Sequence, residues 1–445
     1  MGRGEPILDA QDLNVFVGRP WLLRLMFPDF IGRPPSPTIP LRMYNRNHVF
    51  TAACLGMLLF GVVFLSLGSV NNMLAERFQL DYNAIGTLTA LLPFGILAGS
   101  LIFGPIVDRF GYKWLLFICA LLVGAGLEGM AFANSKELIQ FFVFLIGFGG
   151  GGLNGATNAL AADVSEGERA SRLSLLGVFF GIGALGMPFT LAALSKLAPL
   201  PKIVAAIGAF AVVPAVWFLV ISFPPPKQQR GSLADNFALL KEPVLLLTGL
   251  VLAVQSGMEG MSNDWTTRYF KSVTLGGAKG VDVEQKSLYA LSALVGAMIL
   301  TRLCLGSLLK RIPVAAVLFG SLAFSATGAL VVMSRGSYAI AVCGMVLIGI
   351  GLSACFPLVL GCIGDRFPTK SGTVFSIVFV AALLGNMGIN KSLGYIAARY
   401  GIEQYTKVML VCLVASGILL TLVFRQLGKT PKHEHPLAVP WRANS

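Results

Sequence analysis

Twelve separate stretches of the chain are apolar over about 20 residues, the length of helix that crosses the hydrocarbon core of a bilayer. They fall at residues 48–72, 83–106, 114–133, 138–162, 172–195, 203–223, 243–267, 287–308, 314–334, 338–361, 373–397 and 405–424. Backbone polar groups have no water to bind in hydrocarbon, so each stretch must pair its own groups as a helix. The sequence therefore predicts an all-α membrane protein with twelve spans, numbered 1 to 12 in chain order.

The charge content agrees with burial in lipid. Only 12% of the residues are charged, against about 25% in soluble domains, and the mean hydropathy is +0.76. The net charge of +13 comes from basic residues spread over short connectors. Nucleic-acid binding needs them on one face, so we expect no nucleic-acid partner and contacts with lipid headgroups instead.

The placement of basic residues also predicts the topology. Short cytoplasmic loops are enriched in Lys and Arg. An arrangement with both termini in the cytoplasm puts these six loop residues inside: Arg109, Lys113, Lys310, Arg311, Arg366 and Lys370. We predict a cytoplasmic tail at 1–46, a six-helix half at 47–223, a cytoplasmic linker at 224–242, a second six-helix half at 243–424 and a cytoplasmic tail at 425–445.

The two predicted halves carry similar short sequences at matching places. Span 1 ends in Gly-Ser-Val-Asn-Asn at 68–72, and span 7 ends in Gly-Met-Ser-Asn-Asp at 260–264. Glycine-rich stretches recur in spans 4 and 10, at 149–152 and 349–351. Spans 2 and 8 both run through a glycine into a basic turn. Three matches in the same order indicate an internal repeat of six spans.

The connector after span 2 has the pattern G-x-x-x-D-R-x-G-x-[RK], formed by Gly104, Asp108, Arg109, Gly111 and Lys113. With two six-span halves, it resembles the major facilitator superfamily over residues 47–424. The resemblance implies a solute site between the halves near the midplane. It also implies that the connector clamps the cytoplasmic ends in the outward-facing state, with Arg302 of span 8 in the same inner gate. The alternative is a tight basic turn that only sets the topology.

Within that superfamily the chain is similar to the fucose–galactose–glucose–proton symporter group, which includes sodium-dependent glucose carriers. The resemblance lies in short motifs: the Asn pair at 71–72, Leu-Asn-Gly-Ala-Thr-Asn at 153–158 and the Phe-Phe-Gly stretch at 179–181. Trp265 with Tyr269, and Arg302 followed by Gly306, complete the set. The similarity implies a sugar as the transported solute.

Polar side chains inside the spans are candidate site residues, because each costs energy in lipid unless it faces a cavity or a partner. Asparagines four residues apart share one helix face in spans 4 and 11, and span 7 carries a polar stripe. The predicted solute-binding residues are Asn72, Asn154, Asn158, Gln255, Glu259, Asn263, Trp265, Asn386 and Asn390. Amides donate and accept hydrogen bonds, as a polyhydroxylated solute requires. The alternative is that these amides bridge helices.

The coupling ion is less well defined by the sequence. In the named symporter, carboxylates of spans 1 and 4 bear on proton coupling and sugar recognition, and on our alignment Asn72 and Asn154 stand there, which cannot titrate. Glu259 is then the first candidate to engage a proton or sodium ion, and Asp264 the second. Alternatively, Glu259 pairs with a basic residue and pins the halves. Lys391 of span 11 either extends to the interface, pairs with a carboxylate or binds an anionic solute.

We therefore expect a monomeric secondary active transporter, not an enzyme, in a plasma or bacterial inner membrane. It would carry a small polar solute, a neutral monosaccharide first of all, by alternating access. No cofactor is expected apart from a coupling proton or sodium ion. The rival hypotheses are an exporter of another metabolite or amphipathic compound, and a membrane receptor that does not transport.

Overall fold

The computed structural model describes residues 44–164, 169–225, 242–334, 336–367 and 371–429. Twelve spans in this part of the chain are long and apolar enough to cross a bilayer, which confirms the all-α fold. Spans 1 to 6 are Arg46–Phe78, Tyr82–Phe110, Tyr112–Phe132, Lys136–Val164, Arg169–Leu194 and the pair Leu200–Phe210 and Val212–Val220. Spans 7 to 12 are Pro243–Tyr269, Val281–Leu308, Val314–Met333, Tyr338–Arg366, Ser371–Tyr400 and Gln404–Lys429.

The predicted tails and linker lie mostly outside these residues. Most of the N-terminal tail, the linker and the end of the C-terminal tail are not described. The domain boundaries and the cytoplasmic placement of both termini therefore stay predictions.

Local sequence explains where several spans begin and end. The side chain of Asp81 accepts a hydrogen bond from the Ala84 backbone N–H at 2.8 Å and caps span 2, as a short acidic side chain does at a helix start. Gly111 separates spans 2 and 3 with φ of 76°, a left-handed value that glycine adopts without steric cost. The glycine of the connector motif thus has a backbone reason.

Two spans depart from simple helices. Span 6 is interrupted at Ala211 between its two helices. Span 7 runs on into a π-helical segment, Phe270–Thr274. Such segments are often found at functional sites, and this one brings Lys271 inward.

The two halves repeat in their packing as well as in their sequence. In the first half, span 1 packs on span 5, span 2 on span 4, and span 3 on spans 4 and 6. In the second half the equivalent spans pair in the same way: 7 on 11, 8 on 10, and 9 on 10 and 12. Between the halves, span 1 meets span 7, span 2 meets span 11 and span 5 meets span 8. The repeat relates span 2 to span 8 and span 11 to span 5, so the contact of spans 2 and 11 is equivalent to the contact of spans 8 and 5. This is the relation expected of a pseudo-twofold axis between the halves.

Apolar side chains also cover the outside of the bundle. Leu101 is 62% exposed, Val220 71% and Val411 70%. A surface this apolar is stable against lipid tails and unstable in water. The chain is therefore a multi-pass membrane protein.

Candidate functional site

The two halves are joined at one end of the bundle, which we call the sealed end. It is the end at which span 1 finishes and span 7 finishes. The Nδ2 atom of Asn71 donates to the Asp264 carbonyl at 2.8 Å, and Asn72 donates to the Thr267 carbonyl at 3.1 Å. Thr267 returns a bond to the Gly68 carbonyl at 2.8 Å. Three reciprocal bonds between buried groups hold spans 1 and 7 together.

Lysine side chains cross between the halves at the same end. Lys271 is 8% exposed in its side chain and lies 2.5 Å from Glu76 of span 1 and 3.5 Å from Glu284 of span 8. Lys391 of span 11 donates to Thr87 at 2.7 Å and to the Asn83 side chain at 2.8 Å, both in span 2. Its partners are therefore hydroxyl and amide oxygens of the other half.

The third helix pair is joined by a weaker contact. Lys196, beyond span 5, lies 2.8 Å from Asp282 of span 8, with side chains 57% and 75% exposed. The hydrogen bond that Lys196 donates to the Asp282 carboxylate raises the pKa of Lys196. An exposed ion pair of this kind contributes little to stability, so Lys271 and Lys391 are the stronger connections.

The opposite end of the bundle, which we call the loop end, carries the 104–113 connector. At this end, Gly306 of span 8 has no atom of another span within 4 Å of the place where a Cβ atom would stand. The guanidinium group of Arg109 lies 5.3 Å from the ring of its own neighbour, Phe110. The hydrogen bonds and ion pairs between the halves given above all lie at the sealed end. We therefore interpret this conformation as closed at the sealed end and open toward the loop end.

Asn154 of span 4 lies near mid-depth and Asn158 stands one turn closer to the loop end, and both remain partly exposed. Asn158 donates to the Asn154 side-chain oxygen at 3.0 Å. On this helix Gly150 packs on span 1, Gly151 on span 2 and Gly152 on span 3. By helical spacing, the two asparagines point between spans 1 and 2, away from span 3. They therefore face the interface between the halves.

Glu259 and Arg302 form an ion pair within the second half. The Nη2 atom of Arg302 lies 3.1 Å and 3.2 Å from the two Glu259 carboxylate oxygens, and its Nε donates to the Ser353 carbonyl at 3.3 Å. The side chain of Arg302 is 29% exposed and that of Glu259 is 10% exposed. The predicted pairing of Glu259 with a basic residue is therefore present, although it joins spans 7 and 8 and does not join the two halves.

Most of the other predicted solute-binding residues are engaged in helix contacts in this conformation. Trp265, fully buried, donates to the Asn390 side chain at 2.9 Å, and Asn390 donates to the Asn386 side chain at 2.8 Å. Gln255 donates to the Leu352 carbonyl at 2.9 Å. Asn263 is 2% exposed. Gln255 and Asn390 thus bond to other helices here, whereas the buried Oδ1 atom of Asn263 has no hydrogen-bond partner among the described residues. The solute-binding role of all these residues stays a prediction, as does that of Asn72.

Trp265 also contacts the other half. Its ring lies 6.4 Å from that of Tyr82 in span 2, at an interplanar angle of 30°. A residue predicted to pack against a sugar ring is thus stacked on another aromatic side chain at the sealed end.

The predicted gating residues are placed as follows. Gly104 faces open space, Arg109 is exposed and Lys113 is partly exposed at the loop end. The side chain of Asp108 lies outside the described part of the structure. Arg302 is bonded to Glu259 at mid-depth and is not seen to join the connector. The gating role of these residues, with Gly111, stays a prediction.

Asp264, the second predicted coupling residue, is 4% exposed at the sealed end. Its backbone carbonyl accepts from Asn71. Among the described residues, none donates a hydrogen bond to its carboxylate or forms an ion pair with it. The two coupling candidates therefore differ, because the Glu259 carboxylate is held by Arg302.

The predicted site residues did not include Lys271 or three phenylalanines that lie against one another, Phe60, Phe64 and Phe180. Of these, only Phe180 had been named, as part of a motif of the family resemblance. The signal for Lys271 was available, because opposite charges stand near the ends of spans 1 and 7 and the start of span 8. The phenylalanines give no such signal, because aromatic residues in apolar spans are common packing residues.

Comparison with known proteins places these features in a family. The Major Facilitator Superfamily profile matches residues 49–389. Organic anion transporter 3 of Sus scrofa is 30% identical over 157 residues, which cover 35% of this chain and only 27% of that protein. An uncharacterized MFS-type transporter of Bacillus subtilis, YfkL, is 23% identical over 356 residues, covering 77% of this chain and 87% of that one.

Solved structures share the fold. A bacterial homolog of the human lysosomal transporter Spinster superposes with a TM-score of 0.73 at 14% identity, covering 87% of this chain and 99% of that one. A D-xylose–proton symporter superposes with a TM-score of 0.69 at 16% identity, covering 86% and 99%. The profile match over most of the chain, the repeated six-span halves and the connector motif agree: this chain belongs to the major facilitator superfamily.

Proposed function

We propose that this protein is a secondary active transporter that carries a small neutral polar solute, in the first place a monosaccharide, by alternating access. The family and its relatives named as transporters support carriage across a membrane. The solute would bind at mid-depth, between Asn154 and Asn158 of one half and the Glu259–Arg302 pair of the other.

The observation that carries this proposal is the balance of charge at mid-depth. Glu259 and Arg302 neutralise each other, and the two asparagines facing the interface are uncharged. An uncharged polar set offers many hydrogen bonds without a net field to attract an ion. Hydroxyl groups, which both donate and accept, complement it best.

Ion coupling is part of the same proposal. Glu259 is already held by a guanidinium group, so a proton or sodium ion binding there would have to displace Arg302. Asp264 has no such competitor among the described residues. We therefore favour Asp264 over Glu259 as the carboxylate that engages a coupling ion. The membrane in which the transporter works would be a plasma membrane or a bacterial inner membrane.

An organic anion is the second candidate solute, and one observation favours it. Arg302 uses Nη2 and Nε in the described bonds, and no described residue accepts a hydrogen bond from its Nη1 atom. A carboxylate could accept from that atom. Relatives of this chain include a protein named as an organic anion transporter.

Uptake into proteoliposomes tests the proposal. Labelled D-glucose and labelled benzoate are offered separately, with sodium and proton gradients imposed one at a time. We expect glucose to accumulate, and Asn154→Ala to raise its half-saturation concentration roughly tenfold, as the loss of about one good hydrogen bond would. Asn134→Ala, at an exposed loop position, is the matched control. If benzoate accumulates and glucose does not, the transported solute is an organic anion and the proposal of a neutral solute is wrong.

A further inference from the structure

Three phenylalanines of the first half form a continuous aromatic surface. The ring centroids of Phe60 and Phe180 are 5.6 Å apart, those of Phe64 and Phe180 5.8 Å, and those of Phe60 and Phe64 6.1 Å. These separations are in the range of favourable aromatic contacts. We call this surface, formed by Phe60, Phe64 and Phe180, the aromatic wall.

Helical spacing points the wall toward the other half. Phe64 and Phe60 stand one and two turns before Gly68, the residue whose missing side chain lets span 7 approach span 1. Residues at this spacing share a helix face. Gly181, next to Phe180, contacts Ile299 of span 8 in the other half. Both helices of the wall therefore border the space between the halves.

The wall lies at the depth of the proposed solute site. Span 4 contacts span 1 twice, through Gly150 against Val63 and through Thr157 against Met57. Asn154 lies between these two contacts, as Phe60 lies between Met57 and Val63. The amides and the aromatic wall are thus at the same level.

The charged pair is close to this level as well. Ile299 contacts Gly181, and Arg302 stands one turn further toward the loop end of the same helix. A solute at this level would therefore meet rings on one side and the polar groups of Asn154 and Arg302 on others.

The exposure of the rings fits a surface that is left open for a ligand. Phe64 and Phe180 are partly exposed, although they lie inside the bundle, while Phe60 behind them is 7% exposed. In contrast, Trp265 and Tyr269 are buried against neighbouring side chains. At mid-depth, the aromatic wall thus presents apolar surface that neighbouring side chains do not fully cover.

We infer that the aromatic wall is the surface on which the solute packs, so the transported solute is a ring with one flat apolar face and polar groups at its edge. This inference rests on the proposed function, since it takes the mid-depth site as the transport site. The C–H face of a sugar ring has this shape, whereas an open-chain polyol with similar hydroxyl groups does not keep a flat face. The aromatic wall therefore favours cyclic solutes over open-chain ones, and the polar groups favour solutes with hydroxyl substituents.

Transport of matched solutes tests the inference in the full-length protein. Labelled D-glucose, its open-chain relative D-glucitol and 4-hydroxybenzoate are compared in proteoliposomes. Phe64→Leu and Phe180→Leu remove a ring while keeping an apolar side chain of similar size. Phe94→Leu is the control, because Phe94 is 46% exposed and paired with Phe144, away from the wall.

The expected result is uptake of glucose without glucitol. Either wall variant should raise the half-saturation concentration for the ring solute roughly two- to tenfold, the range expected for one aromatic contact, and Phe94→Leu should leave it unchanged.

Uptake of 4-hydroxybenzoate alone, with the same sensitivity to Phe64→Leu, would support the aromatic wall and overturn the proposal of a neutral solute. Equal uptake of glucitol and glucose, or ring uptake that neither wall variant alters, would overturn the wall and leave the polar-solute carrier standing. Uptake of none of the three would overturn both.

Discussion

Arg302 stands near the loop end of span 8, and its guanidinium group reaches mid-depth to bind Glu259 of span 7 and the Ser353 carbonyl of span 10. One side chain thus ties three helices of the second half. Removing one partner of a buried ion pair is costly, because the other charge is then left uncompensated in a medium of low dielectric. Replacing both partners avoids that cost.

This difference predicts a non-additive pair of substitutions. Glu259→Gln and Arg302→Gln should each destabilise the protein by roughly 1–3 kcal/mol, below the cost for a fully buried pair because Arg302 is partly exposed. The double variant should be more stable than either single variant. Thermal unfolding in detergent measures the order, with exposed Glu137→Gln as the control. Additive losses in the double variant would show that the two charges act independently.

At this scale the sequence identified the polar residues but could not assign their partners. Asn154 and Asn158 share one face of span 4, as their spacing predicts. Trp265 and Asn390 fall on predicted stripes too, yet they bond to each other at 2.9 Å. Which amides meet a solute and which meet another helix depends on contacts between distant segments, and spacing within one helix does not contain that information.

Close approach at the sealed end depends on glycines in the contacting spans. A Cβ atom on Gly68 would overlap the backbone of Asn263, and one on Gly86 of span 2 would overlap Gly394 of span 11. Small residues at such crossings let helix backbones pack tightly. At these positions the backbone is in contact, so no rotamer change can make room for a side chain.

A valine at Gly68 should therefore separate spans 1 and 7. We expect Gly68→Val to shift the protein toward a conformation open at the sealed end. Spin labels at positions 79 and 279, exposed beyond the ends of spans 1 and 7, report that opening as a longer distance in pulsed electron paramagnetic resonance. The labels require replacement of the seven native cysteines.

Gly388→Val is the matched control, because Gly388 faces open space in this conformation. It should leave the short distance unchanged. An unchanged distance in Gly68→Val would mean that the glycine contact does not limit closure.

The positions of the helices were largely predictable, whereas their ends and irregularities were less so. Span 1 was expected at 48–72 and runs over Arg46–Phe78, because apolar length measures the hydrocarbon core and helical hydrogen bonding continues beyond it. The break at Ala211 and the π-helical segment after Tyr269 leave no comparable pattern. Lys271, which that segment turns inward, was missed although the opposite charges near the ends of spans 1 and 7 and the start of span 8 gave a signal for it.

For the whole molecule, the repeat in sequence became a repeat in packing, with equivalent spans paired in each half. Two such halves can meet at either end with little internal change, so the site between them can open to one side at a time. The structure shows one of the two arrangements. The other would bring the 104–113 connector against the second half, where Arg109 and Lys113 would find partners.

Access to mid-depth from each side of the membrane tests this mechanism most directly. A single cysteine at position 154, in a protein without its native cysteines, is treated in oriented vesicles with a membrane-impermeant thiol reagent on one side or the other. We predict labelling from the loop-end side in the parent protein, and a shift toward labelling from the sealed-end side when Gly68→Val is added. Labelling from the same side in both proteins, or equally from both sides in each, would contradict alternating access to a site at mid-depth.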